Sequence, residues 1–235
     1  MPNSNQTFLT YLKATSHTRK FLMKKYQITE GEQAKLLAYE NAERFSYGLQ
    51  LGEEYLKAAA QTPFSVQPLL YYYSLTHYLK SCILVVDHNY PASAKVLAHG
   101  LSTRKRKKQH YLFLEDDVRI QPQGLFPFAA KSLFDMTSLP NKVSMNELLK
   151  PLPCMKDIYN YKENTSDSHS LFPDLMAMFA VLYNLSMLVR YEGEWWGEMD
   201  KLRDREDYVF ILHFLESMPT QIANLISSWL EDQSN

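Results

Sequence analysis

SVQPLLYYYSLTHYLKSCILVV, residues 65–86, decides how the chain folds. Ser65 reads as a helix N-cap, and Pro68 falls in the first turn, where no intrahelical donor is needed. From there to Val86 apolar side chains cover nearly every face, which predicts a central, buried helix. Thr76, His77, Lys80 and Ser81 interrupt the run, and hydrocarbon would hold those groups at high cost, so a membrane span is not expected. Ser74, His77 and Ser81 recur at steps of three and four and share one stripe. A polar stripe in a buried helix must find partners. Two readings stay open: a hydrogen-bonded contact between helices, or the wall of a polar pocket lined by Ser74, His77 and Lys80.

The segment before it, 32–60, has the cleanest periodicity in the chain. Ala38, Ala42, Phe45, Leu49, Gly52, Leu56 and Ala59 form one continuous helical face. Glycine inside a helix costs up to about 1 kcal/mol relative to alanine, so Gly48 and Gly52 imply a close approach by another helix. Pro63 ends this element. Residues 6–26 also show helical spacing, with Phe8, Leu12, Phe21 and Leu22 facing inward.

Further along, 91–98 reads as a short helix and 143–150 as another, started by Ser144 and stopped by Pro151. Between them, Val118 and Ile120 alternate with Arg119 and Gln121, and PQG supplies turn chemistry before Leu125 and Phe126. This predicts a small β-hairpin inserted over about 111–129. YKENTSDSHS, 161–170, reads as a mobile loop. Ser170 and Pro173 start a second largely apolar helix, 171–191. A last helical region runs from about Asp204, breaks near Pro219 and resumes through Trp229. The fold class expected is therefore mainly α: a single-domain multi-helix bundle over 1–235 with a small inserted hairpin.

Composition narrows the function classes. The 25 Lys and Arg residues nearly match the 26 Asp and Glu, giving a formal net charge of −1, so any affinity for nucleic acid must come from a local patch. With 7 glycines and neither GxGxxG nor GxxxxGK[ST], the usual dinucleotide and P-loop folds are not indicated. Cys82 and Cys154 are far apart and suit no CxxC pattern, which fits reduced thiols in a cytoplasmic setting. No HExxH or spaced His/Cys cluster points to a metal, and no cofactor is called for. Glu115, Asp116 and Asp117 are three adjacent acids, whose side chains alternate faces beside a strand and rarely converge on Mg²⁺. The two tryptophans of EGEWWGE, 192–198, read as packing at a helix end.

HGLSTRKRKKQH, 99–110, concentrates the charge. Arg104, Lys105, Arg106, Lys107 and Lys108 repel one another and must be solvated, matched by carboxylates, or bound to a polyanion. The plainest reading is an exposed loop neutralised by Glu115, Asp116 and Asp117. The second is phosphate binding, to RNA, DNA or a nucleotide. The third adds chemistry, because His99 and His110 bracket the cations. One imidazole would take a 2′-hydroxyl proton while Arg104 stabilises the phosphate, without a metal.

At QPLLYYYSLTHYLKS, VLAHGLSTRKRKKQ, GLFPF, ELLKPLP and LVRYEGEWW the chain resembles the YaaC-like protein family of Bacillus-type bacteria, from about Phe8 to Trp229. That resemblance implies a bacterial cytoplasmic protein and carries no particular chemistry. Arg104, Lys105 and His110 also resemble, in spacing, the motif of the HEPN superfamily of helical domains, many of them RNases, although here the motif precedes a predicted hairpin. Three functions are therefore expected to compete. They are a non-catalytic phosphate-, nucleic-acid- or nucleotide-binding protein, a metal-independent endoribonuclease using Arg104 and His110 or His99, and a structural partner that forms homo-oligomers through a helical face.

Overall fold

The computed structural model describes residues 4–104, 111–163 and 169–234. It is mainly α with one small antiparallel sheet. α1 (Ser4–Tyr11) and α2 (Thr15–Glu30) replace the single helix expected over 6–26. At the break, the Thr18 hydroxyl donates to the Leu12 carbonyl at 2.6 Å, satisfying an acceptor that the interrupted helix leaves open.

α3 (Ala34–Gln61) buries the stripe its spacing predicts, from Ala38 to Ala59. It lies close against α4 (Gln67–Val86), the central helix. The closeness depends on the two glycines. A Cβ on Gly52 would sit 2.9 Å from the Tyr78 ring, and one on Gly48 would sit 2.2 Å from the Ser81 hydroxyl. Ser74 Oγ donates to the Gly52 carbonyl at 2.7 Å, and Ser81 Oγ donates to that of Phe45 at 3.3 Å. Two of the three groups on the polar stripe are thus used in helix contact. The helix starts one residue later than Ser65 would set it, after Val66 and with no side-chain cap.

On its other side α4 packs against α8 (Asp174–Tyr191). The Tyr72 ring lies 5.2 Å from that of Phe179 and 5.8 Å from that of Tyr183. α8 begins after Pro173, and the Ser170 hydroxyl bonds the Phe172 carbonyl instead of capping.

β1 (Leu101–Ser102), β2 (Asp117–Ile120) and β3 (Lys142–Ser144) form a sheet in that order, pairing Leu101 with Ile120 and Val118 with Val143. The strand expected at DVRI is present, but its partners come from 101–102 and 142–144. The segment after PQG is a helix, α5 (Leu125–Phe134). Pro127 explains the difference: it fits the first turn of a helix and has no N–H to give a ladder. Ser144 caps α6 (Met145–Leu149) in a reciprocal box with Glu147.

α7 (Lys156–Glu163) occupies the start of the loop expected at 161–170, and 164–168 lie outside the described residues. α9 (Gly193–Leu202) stacks the buried Trp196 ring on Phe64 at 5.3 Å, so this tryptophan does pack a helix end. α10 (Glu206–Asp232) runs unbroken through Pro219, where a break was expected. Leu215, Met218, Ile222 and Ala223 are buried on both sides of the proline and hold the helix in the core despite the lost backbone bond. Among the described helices α10 is the one long and apolar enough to cross a membrane by length and composition, and it packs on α1 and α4.

Candidate anion site

The site is built where α4, α8 and the chain entering β1 meet. Residues 98–100 are clamped by the start of α5: Leu125 N–H donates to the Ala98 carbonyl at 2.7 Å, and Phe126 N–H to that of His99 at 3.1 Å. Gly100 and Gly124 make the clamp possible. Both have positive φ (75° and 127°), and a Cβ on Gly124 would lie 2.4 Å from the Gly100 backbone. His99 is therefore held by main chain on one side and presented to α4 and α8 on the other.

Its ring lies 5.6 Å from those of both Tyr72 and Tyr183, and its Nδ1 is 2.6 Å from the Tyr72 hydroxyl. Burial pushes the Tyr72 phenol well above its ordinary value, so it keeps its proton. Burial, then the charges of Arg190 and Lys80, hold the His99 imidazole below its ordinary 6.5 and therefore neutral at pH 7. Tyr72 O–H donating to Nδ1 satisfies both groups and leaves the ring proton on Nε2. That nitrogen makes no hydrogen bond to the protein among the described residues.

Lys80 is half-buried on α4, and burial lowers its pKa. Its ammonium makes no hydrogen bond or ion pair with any described residue. Its charge reaches two imidazoles, since it lowers both His99 and His77, each after the larger effect of burial. Arg190, in the last turn of α8, donates from Nε to the Ser186 carbonyl at 3.0 Å and lies over the Tyr191 ring at 5.6 Å. It forms no ion pair with a described carboxylate. Lys80 and Arg190 thus supply positive charge around the neutral His99, and neither forms an ion pair with a described carboxylate, so an anion beside His99 would be attracted by both.

The residues singled out from sequence separate into three groups. His99, His77 and Lys80 belong to this surface, whereas Ser74 is buried in the contact with α3. Arg104 is exposed just beyond β1. Lys105, Arg106, Lys107, Lys108 and His110 lie outside the described residues. Asp116 and Asp117 diverge: Asp116 Oδ2 accepts from Tyr111 O–H at 2.9 Å and Asn184 Nδ2 at 2.8 Å, while Asp117 pairs with Lys142 at 3.3 Å. Among the described residues, no three His, Cys, Asp or Glu side chains gather as a metal site. Arg190, Tyr72 and Tyr183 were missed by sequence reasoning. The one local signal for Arg190 is a cation closing an otherwise apolar helix.

The model of the YaaC-like Protein family matches residues 10–169 and 160–230. The chain belongs to the YaaC-like family. The two matched stretches include every residue of the anion site. No curated protein and no solved structure matches the chain.

Proposed function

We propose that this YaaC-like protein is a non-catalytic binding protein that holds phosphate, in RNA or a nucleotide, against Lys80, His99 and Arg190. The observation that carries the reading is the Lys80 ammonium, which makes no hydrogen bond or ion pair with any described residue and whose charge reaches both His77 and His99, the latter also reached by Arg190. A lysine or arginine is a natural partner for phosphate oxygens, and the His99 Nε2–H adds a neutral donor to the same anion. The basic block from Arg104 to Lys108 follows His99 along the chain and would extend the attraction to neighbouring phosphates. The free thiols of Cys82 and Cys154 fit a reducing, cytoplasmic setting, which we take as the protein's working environment.

Inorganic tripolyphosphate, titrated by calorimetry at low salt, tests this reading without involving bases. Binding that weakens about tenfold or more in Lys80→Met, with the fold retained, supports it. Absence of binding at low salt overturns it. The same preparation incubated with labelled RNA in EDTA reports on the word non-catalytic: strand cleavage that disappears in His99→Gln would contradict it.

A further inference from the structure

The cationic surface does not end at Lys80. Tyr73, His77 and Lys80 occupy one stripe of α4, spaced i, i+4 and i+7, and span about 10 Å along the helix. Tyr73 is 36% exposed, and His77 is half-buried. Tyr55 of α3 stands beside them, its ring 5.6 Å from Tyr73 and 5.5 Å from His77, nearly parallel to the imidazole at 8°. The Tyr73 ring in turn lies 5.8 Å from Tyr72, which touches His99. An aromatic track of Tyr55, Tyr73 and His77 therefore lies partly exposed on α3 and α4, joined to His99 through the buried Tyr72 ring.

Adjoining aromatic rings at a surface offer flat faces on which a partner can stack. Here Lys80, three residues beyond His77 on the same stripe, forms no ion pair with a described carboxylate, which favours an anionic partner over an apolar helix or a lipid tail. A chain that alternates flat, stackable rings with negative charges at a spacing of several ångströms matches the track. Bases would lie on Tyr73 and Tyr55 while the backbone phosphates follow Lys80, His99 and Arg190.

We propose that the occupant is single-stranded nucleic acid, bound by base stacking on Tyr73 and Tyr55 as well as by phosphate contacts, and not a mononucleotide or a bare polyphosphate. This deepens the phosphate-binding reading and rests on it. Stacking on this track tolerates any base, so little sequence preference is expected. A duplex, whose bases are already stacked and paired, binds less tightly.

Fluorescence anisotropy with a labelled single-stranded oligouridylate, alongside calorimetry with tripolyphosphate, separates the two levels. In Tyr73→Ala the oligonucleotide affinity is expected to fall about 5- to 150-fold, the range that loss of one stacked base implies, while tripolyphosphate affinity stays unchanged. Tyr73→Phe keeps the ring and should restore oligonucleotide binding, which excludes a folding defect as the cause. Equal affinities of wild type and Tyr73→Ala for the oligonucleotide would overturn the stacking proposal while leaving the phosphate reading intact. Failure of both probes to bind wild type would overturn both. A duplex of the same length binding as tightly as the single strand would also overturn the proposal.

Discussion

Gly52→Ala tests the packing that sets α4 in place. In an isolated helix this change would be favourable by up to about 1 kcal/mol, because alanine loses less freedom on folding. At Gly52 the added Cβ would meet three carbons of the Tyr78 ring at 2.9 Å, closer than real contacts allow. Tyr78 is 1% exposed, so its ring has no solvent to move into, and relief requires α3 and α4 to part. Overpacking of this kind costs about 1–3 kcal/mol. Parting the helices also stretches the bond from Ser74 to the Gly52 carbonyl, worth about 1 kcal/mol. The net expectation is a destabilisation of about 1–3 kcal/mol, measured as a lower urea midpoint at unchanged slope, with a Tm drop of about 2–12 °C. Gly197 in α9 is the control, since a Cβ there meets nothing within 4 Å. Gly197→Ala should stabilise by up to about 1 kcal/mol. If Gly52→Ala stabilises as Gly197→Ala does, the close approach of α3 and α4 is refuted.

Asp207 and His99 give further tests. Asp207 Oδ1 accepts from the buried Phe113 N–H at 3.1 Å, so Asp207→Ala should cost about 1–3 kcal/mol by orphaning that donor. Asp207→Asn keeps the acceptor and should cost less. Burial raises the Asp207 pKa above 3.8, so the folded state binds the proton first, and this group's contribution to stability falls as pH rises through the folded value. Urea midpoints measured across that range for wild type and Asp207→Asn should therefore diverge with a pH-dependent difference, and a constant difference would refute the assignment. His99 has the opposite sign: its folded pKa lies below 6.5, so the unfolded chain takes the proton first and stability is lost as pH falls below that value. A bound anion favours the imidazolium, so oligonucleotide affinity should rise between about pH 8 and about pH 5.5. That rise should flatten in His99→Gln, and an equal rise in both proteins would remove His99 from the site.

The helical frame was legible because it depends on local periodicity. The α3 stripe, the apolar α4 and the Ser144 capping box are all written in neighbouring residues. Gly48 and Gly52 announced a close helix contact, and the polar residues of α4 supplied its hydrogen bonds. What was not legible depended on distant partners. β2 pairs with strands on both sides of it in the chain, so a turn signal beside it pointed to the wrong partner. Pro219 sits inside α10 because tertiary burial outweighs a local penalty.

The site divides in the same way. His77 and Lys80 are spaced on one helix and could be grouped from sequence, and His99 was marked by the basic block after it. Arg190 joins them only because α8 packs against α4, a contact that spacing along the chain does not encode. The tyrosines of YYY read as core, and two of them are: Tyr71 and Tyr72 are each 1% exposed. Tyr73 turns outward by helical phase alone.

The salt dependence of oligonucleotide binding reaches the Lys80 ammonium most directly. Each phosphate neutralised on a single strand contributes about 0.7 to the slope of log K against log salt. Lys80→Met removes one such contact, so its slope should be shallower than wild type by about that amount, with weaker binding at low salt. Identical slopes and affinities in the two proteins would mean that no phosphate sits on Lys80.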